Sequence, residues 1–366
     1  MKFSLARDAL LAPLQMISGV VEKKQTMPVL SNVLIDADNE KLTLTGTNTE
    51  VELICRLEEV DVKRTGQITV PAKKLAEICR SLDSIYPVEI EQDGNKIHVR
   101  SGRNKFTLAT LPAEHFPNTE NEVVDFSVTI PQIELKQALD ATAFAMAQQD
   151  VRYYLNGMLF EMNDTLLRLV ATDGHRLAMA DIYTAVPVSE LHQVIIPRKG
   201  IMELSRLLSE EGDVQLEFNH SHIRSTIGNF TFTSKLIEGK FPDYTRVIPR
   251  GGDKVVIADR VELKGALVRA GILSHENIRG VRVNLEPGQI EVVANNPDQE
   301  HAEVYQSVDY NGEPLQIGFN VSYLIDVMNS IQQEQVKLTL SNPNSSALVE
   351  PQDGPKVLYV VMPMRL

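Results

Sequence analysis

With 366 residues, 43% of them hydrophobic and 23% charged, the sequence has the composition of an ordinary folded protein, which excludes a disordered chain and predicts two or three domains. A net charge of −13 at pH 7 argues against tight nucleic-acid binding driven by counterion release, because that needs Lys and Arg clustered at phosphates. Cys55 and Cys79 sit far apart in apolar runs and no stretch nears the roughly 18 apolar residues of a membrane span, so buried thiols, a reducing cytoplasmic setting and no membrane partner are expected.

The predicted elements come in three copies. In the first, Leu10 and Leu14 mark a helix, and Asn32–Asp36, Leu42–Thr45 and Val51–Leu57 alternate as strands. Leu75, Ile78 and Leu82 then share one face of a second helix. Ile97–Arg100 and Phe106–Ala109 follow as strands, next to polar turns such as Asp93-Gly94-Asn95. The second copy opens with Leu135 and Leu139, 125 residues after Leu10 and Leu14. Its segment 167–174 matches 42–49, its triad Ile201, Leu204 and Leu208 lies 126 residues after the first, and Phe241-Pro242-Asp243 matches Phe116-Pro117-Asn118. In the third copy Leu263 and Leu267, segment 290–297, and Leu324, Val327 and Ile331 restate the same anchors.

A period near one third of the chain is far beyond the roughly 20–50 residues of a solenoid repeat and has the size of a domain. The spacing predicts an α+β fold of three similar domains, each with two helices packed on β-sheet and about eight strands. Polar and Gly-rich connections near 119–125 and 249–254 place the domains at 1–122, 123–250 and 251–366.

Catalytic and cofactor signatures are missing. There is no phosphate-binding loop, no Gly-x-Gly-x-x-Gly turn, no Gly-x-Ser-x-Gly elbow and no His-Glu-x-x-His helix, so no cofactor and no metal are expected. His220 and His222 read as a turn, without the further ligands a tetrahedral metal site needs. Asp173 and His175 are the one pair that could serve as base and orienter. The repeat puts them first on a turn after a strand, in line with Asn48 and Asn296.

Five segments carry a family resemblance: 150–160 (Asp150 to Phe160), 171–178 (Ala171 to Ala178), 232–236 (Phe232 to Leu236), 241–244 (Phe241 to Tyr244) and the C-terminal 359–366. They resemble the bacterial DNA polymerase III beta subunits, the sliding clamps, and the threefold repeat spans the whole chain as that family requires. The resemblance implies a non-catalytic processivity factor, a head-to-tail homodimer whose two sets of three domains form a ring around duplex DNA. It also implies an ATP-driven clamp loader as partner, and docking of polymerases and repair proteins through short peptide motifs. A ring retains DNA by topology, which reconciles the function with an acidic chain. Lys73 and Lys199, and Arg80 and Arg206, lie one repeat apart, with Lys74 and Arg198 nearby, which suggests a shared basic face.

Residue roles follow from the same resemblance. Lys24, Lys73, Gln149, Tyr153 and Tyr154 match DNA-contacting positions, the tyrosines able to stack on exposed bases. A pocket for partner peptides maps to Leu155, Thr172, Gly174, His175, Arg176, Leu177, Pro242, Arg246, Val247, Asn320, Tyr323, Ser346, Val360, Met362, Pro363 and Met364. The dimer seam maps to Lys74, Lys96, Arg103, Lys105 and Phe106 on one side and Ile272, Leu273, Asp298 and Glu300 on the other. His301 and Val304 stand where acidic partners of Lys105 and Arg103 are expected, which implies fewer ion pairs at the seam.

Overall fold

The computed structural model describes residues 1–22, 27–117, 123–354 and 356–365. In the first copy the elements run β1 (Lys2–Leu5), α1 (Arg7–Val20), β2 (Asn32–Asp38), β3 (Lys41–Thr47), β4 (Val51–Leu57), β5 (Asp61–Arg64), β6 (Gly66–Pro71), α2 (Ala72–Ser81), β7 (Val88–Asp93), β8 (Lys96–Ser101) and β9 (Asn104–Ala109). The second contributes β10 (Phe126–Pro131), α3 (Gln132–Thr142), β11 (Gly157–Thr172), β12 (Arg176–Pro197), α4 (Arg198–Leu207), β13 (Asp213–Phe218), β14 (His222–Ile227) and β15 (Phe230–Lys235). The third adds β16 (Lys254–Asp259), α5 (Arg260–Gly271), β17 (Gly280–Glu286), β18 (Gln289–Asn295), β19 (His301–Ser307), β20 (Leu315–Asn320), α6 (Val321–Ser330), β21 (Gln335–Leu340), β22 (Ala347–Pro351) and β23 (Val357–Val361).

Each copy thus has two helices among its described residues, as the apolar spacing predicts, and the predicted anchors face inward. Leu10, Leu14, Leu135, Leu139, Leu263 and Leu267 are buried, as are the second-helix triads, apart from a half-buried Ile78. Strand number differs between copies. The second copy draws the equivalents of β2 and β3 into the single long β11, and those of β4 to β6 into β12, which pair with two register shifts. No local pattern announces that fusion, because an alternating strand reads alike whether or not it bends.

By packing, the chain divides into two compact units, residues 1–133 with 199–236 and residues 134–198 with 237–366. These boundaries follow shared sheets rather than the repeat. In the first unit, β10-β13-β14-β15-β4-β3-β2-β6 is one sheet joining strands of copies one and two, and β5-β1-β7-β8-β9 is another. The second unit has the corresponding β11-β12-β23-β22-β21-β16, joining copies two and three, and β19-β18-β17-β20. Every strand pairing is antiparallel, which allows one face to be packed and the other solvated. Helices α1 and α2 pack together in the first unit, as do α5 and α6 in the second.

Small side chains let helices sit close on these sheets. A Cβ on Gly46 of β3 would collide with Ile17 of α1. The matching positions 171 and 294 hold only alanine, and both are buried. Glycine at 46 is therefore a packing requirement, and a larger residue there would force α1 off the sheet.

Both cysteines are free and buried, and burial pushes each thiol up to about 12. At pH 8 the thiolate fraction is then on the order of 10⁻⁴, too small for rapid attack on a disulfide reagent. Ellman's reagent should label neither thiol in the folded protein and both in guanidinium; stoichiometric labelling of the native chain would contradict this. Tyr359 is also fully buried, and its hydroxyl has no hydrogen-bond partner among the described residues. Because an unsatisfied buried hydroxyl costs about 1–3 kcal/mol, Tyr359→Phe should leave the urea midpoint unchanged or raise it. A fall in that midpoint would reveal a bond to the phenol.

Candidate functional site

The turn joining β11 to β12 is fixed by its own side chains. Thr172 Oγ1 donates to the Arg176 carbonyl (2.6 Å) and accepts from the Gly174 amide (3.1 Å). Asp173 Oδ1 accepts from the amides of His175 (2.9 Å) and Arg176 (3.1 Å). Gly174 takes φ +90°, a left-handed conformation that favours glycine. The first copy builds the same turn with Thr47, Asn48 and Thr49: Thr47 Oγ1 bonds the Val51 carbonyl, and Asn48 Oδ1 accepts from the amides of Glu50 and Val51. Asp173 is therefore a turn residue. Its second carboxylate oxygen goes to Arg176 Nε at 3.1 Å, not to the His175 ring. The His175 ring stacks on Tyr323, 6.2 Å between centroids. That overturns the acid–base pair as a reading of these two residues.

Arg176 anchors the turn to its surroundings. Besides Asp173, its guanidinium bonds the carboxylate of Asp326 on α6 and the carbonyl of Phe144 (3.1 Å). It lies over the rings of Tyr323 (4.6 Å) and Phe144 (5.1 Å). Planar, permanently charged and bonded on three sides, it holds the mouth of the adjoining cavity rigid. Arg152 adds a second brace: it grips Asp150 with two bonds (3.0 and 2.9 Å) and donates to the Asp173 carbonyl. Those bonds hold the Asp150 carboxyl down at about 2, so the pair stays ionised at any working pH.

The C-terminal strand forms one wall. β23 pairs with the start of β12, and past its end the Met362 amide donates to the His175 carbonyl (3.0 Å) and the Met364 amide to the Gly318 carbonyl (2.9 Å). The tail is thus hydrogen-bonded into the fold through Met364. Opposite, the segment 241–247 turns through a short 3-10 helix at Tyr244–Arg246. The Tyr244 hydroxyl donates to Glu161 (2.6 Å) and accepts from Arg168, and burial pushes its phenol up to about 12. Underneath lies an apolar floor of Leu159, Val170, Leu177, Met179, Ile195, Phe241 and Val360.

Between these walls is a cavity of about 210 Å³. Of the residues predicted for a peptide pocket, Leu155, Thr172, Gly174, Arg176, Leu177, Pro242, Val247, Val360 and Met362 line it. Four lining residues were not predicted for the pocket: Arg152, Asp243, Tyr244, and Tyr154, which was expected at DNA. The other predicted members do not line this cavity. His175 and Tyr323 stack beside it, and Asn320 caps α6 by accepting from the Ser322 amide. Arg246 is paired with Asp243 in solvent, Pro363 and Met364 follow on the tail, and Ser346 is half-buried.

The same positions in the first copy carry different chemistry. Strand pairing puts Glu52, Thr233 and Lys235 where Leu177, Val360 and Met362 stand. Two charged side chains and one polar one replace three apolar anchors, so the equivalent turn has no matching apolar wall.

The residues predicted for DNA and for the dimer seam are divided between the two units. Lys24 falls outside the described residues. Lys73 is half-buried in the first unit, whereas Gln149, Tyr153 and Tyr154 belong to the second. Tyr153 is 57% exposed and meets Tyr154 edge-on at 5.8 Å. Lys74, Lys96, Arg103 and Lys105 are exposed, with Phe106 half-buried. Ile272 is 73% exposed, Leu273 is half-buried, and Asp298 and Glu300 are exposed. The repeated basic face is only partly free. Lys199 (3.2 Å) and Arg206 (2.7 Å) both converge on the buried carboxylate of Glu203, and Lys199 also bonds the Gly19 carbonyl.

Comparison with known proteins covers the whole chain. Models of the DNA polymerase III beta subunit match as its N-terminal domain over residues 1–120, its central domain over 129–243 and its C-terminal domain over 245–365. A beta sliding clamp of Pseudomonas aeruginosa is 54% identical, and one of Escherichia coli K12 is 45% identical, each over 100% of both chains. Solved structures agree: a P. aeruginosa sliding clamp bound to griselimycin superimposes with TM-score 0.95 at 54% identity, and the Caulobacter crescentus pol III beta with 0.92 at 37%, again over 100% of both chains. The chain belongs to the DNA polymerase III beta subunit family, the bacterial sliding clamps.

Proposed function

We propose that this protein is the replicative processivity factor of its cell, a ring of two chains that encircles duplex DNA and slides without consuming ATP. Its three domains, 1–122, 123–250 and 251–366, are joined edge to edge within each chain, and two chains arranged head to tail close the ring. A separate ATP-driven loader opens it, and polymerases and repair proteins dock through short peptides. The observation that carries this reading is the threefold repeat, matched over its full length by sliding clamps.

Topological retention removes the need for high affinity, so a net charge of −13 is compatible with DNA as partner. Lys24, Lys73, Gln149, Tyr153 and Tyr154 are the proposed DNA contacts; they position the duplex without reading its sequence. The cavity beside Leu177, Val247 and Met362 is the proposed peptide site. Its apolar floor suits one or two large aliphatic or aromatic anchors, which typically supply most of the binding energy. Arg152 and Arg176 at its rim can receive a backbone carbonyl or an acidic side chain. A P. aeruginosa relative of the same fold was crystallised with griselimycin, a ligand-bound state in keeping with a clamp that has a binding pocket.

Protein loaded on a nicked circular plasmid by an ATP-driven clamp loader should co-elute with that plasmid through gel filtration and be released when the circle is linearised. Equal release from both forms, or equal retention on both, would overturn the reading. Val247 is 37% exposed, so Val247→Glu should leave folding intact while placing a charge in the apolar cavity. Affinity for a fluorescent peptide with Leu and Phe anchors should fall about tenfold or more, roughly the 1.4 kcal/mol that a tenfold change represents. Unchanged affinity would move the peptide site elsewhere.

A further inference from the structure

We infer that Asp326, a residue of α6 that does not line the cavity, is a positioning residue for the peptide site. It holds the Arg176 guanidinium at the rim and so ties peptide affinity to the join between helices of copies two and three. This role presupposes the peptide site proposed above and explains why the rim cation stands where it does.

The first unit contains the same join served by different residues. There Glu203 of α4 lies against Gly19, near the end of α1: a Cβ on Gly19 would come within 2.8 Å of Glu203 Oε2 and collide with Arg206. Two cations of α4 itself pair with this buried carboxylate, Lys199 at 3.2 Å and Arg206 at 2.7 Å, and Lys199 also donates to the Gly19 carbonyl. In the second unit Phe144 stands 125 residues after Gly19, the offset of Leu135 from Leu10. Asp326 stands 123 residues after Glu203, the offset of Leu324 from Ile201. Arg176 connects the two, donating to the Asp326 carboxylate and to the Phe144 carbonyl (3.1 Å). A carboxylate on the second helix, a carbonyl at the end of the preceding copy's first helix and a bridging cation thus recur at matching positions of the repeat.

What differs is the source of the cation. The positions of Lys199 and Arg206 recur as Ser322 and Asn329, and α6 contains no Lys or Arg of its own. The position of Arg176 recurs in the first copy as Val51, an alignment fixed by the matching pairs Gly46 with Leu53 and Ala171 with Ala178. The bridging charge has moved from the helix to the turn that walls the cavity. The Arg176 side chain is only 12% exposed, so its charge needs a partner, and Asp326, 40% exposed, supplies one from outside the cavity. One turn earlier on α6, the centre of the Tyr323 ring lies 4.6 Å from the guanidinium carbon. A single helix therefore provides both the carboxylate beside the guanidinium and the ring against its face, which fixes its plane and direction. A rim cation held in this way meets a peptide carbonyl or carboxylate without first being ordered, and that ordering cost is what weakens binding when it is not met in advance.

Asp326→Asn removes the charge at nearly constant shape and should weaken binding of the fluorescent peptide with Leu and Phe anchors about fivefold, read by fluorescence polarisation. Asp326→Glu, the carboxylate that the preceding copy carries at this position, should bind as the unsubstituted chain does. Glu203→Gln, the same change at the first join, should leave peptide affinity unchanged. In an Arg176→Ala background Asp326→Asn should have no further effect, whereas a general loss of stability would add to the first loss. Equal weakening by Asp326→Glu or Glu203→Gln, or an additive loss in the Arg176→Ala background, overturns the positioning role. So does unchanged affinity in Asp326→Asn when Val247→Glu weakens binding, and the peptide site then stands. A peptide that does not bind the unsubstituted protein overturns the site and the role with it.

Discussion

Pairing of one copy's last strand with the preceding copy's edge is the constraint on which the rest depends. An antiparallel edge presents a row of unmet amides and carbonyls, and each must be covered, charged or paired. Here β15 covers β4 and β23 covers β12, so two of the three equivalent edges are satisfied inside the chain. The large side chains at the centre of these pairings, Phe232 and Tyr359, are fully buried. The compact units therefore follow the shared sheets and cut across the second copy, whose strands serve both.

Repetition supplies the architecture, and departures from it supply the function. All three copies place a turn after the strand that carries Gly46, Ala171 or Ala294. Only the second surrounds that turn with Leu177, Val360 and Met362 and fixes it through Arg176 to Asp326 and Phe144. The first copy presents Glu52, Thr233 and Lys235 instead, and the third His301 with no covering strand among the described residues. Three similar scaffolds thus differ at this turn, because the fold does not depend on which side chains surround it.

The helices and the repeat were legible in the sequence because both are periodic: Leu75, Ile78 and Leu82 recur with their spacing intact, and local pattern is enough to see it. Long-range pairing was not legible. Nothing near Phe232 states that Leu53 lies beside it, and nothing near residue 165 states that two strands run on as one. At the candidate site, the family resemblance found nine of the lining residues, but it assigned Tyr154 to DNA and missed Arg152, Asp243 and Tyr244. Arg152 lines the cavity because it is tethered to Asp150 and the Asp173 carbonyl, a geometry set by folding rather than by any motif. Tyr244 lies within the resemblance segment 241–244, but its bonds to Glu161 and Arg168 are long-range contacts that no segment announces.

For this acidic chain to hold DNA by closing around it, as proposed, two copies must enclose an opening wide enough for a duplex. Solution X-ray scattering coupled to light scattering measures this directly. The account predicts a particle of two chains whose pair-distance distribution requires a central hole. A filled particle, or a single chain at working concentration, would contradict it.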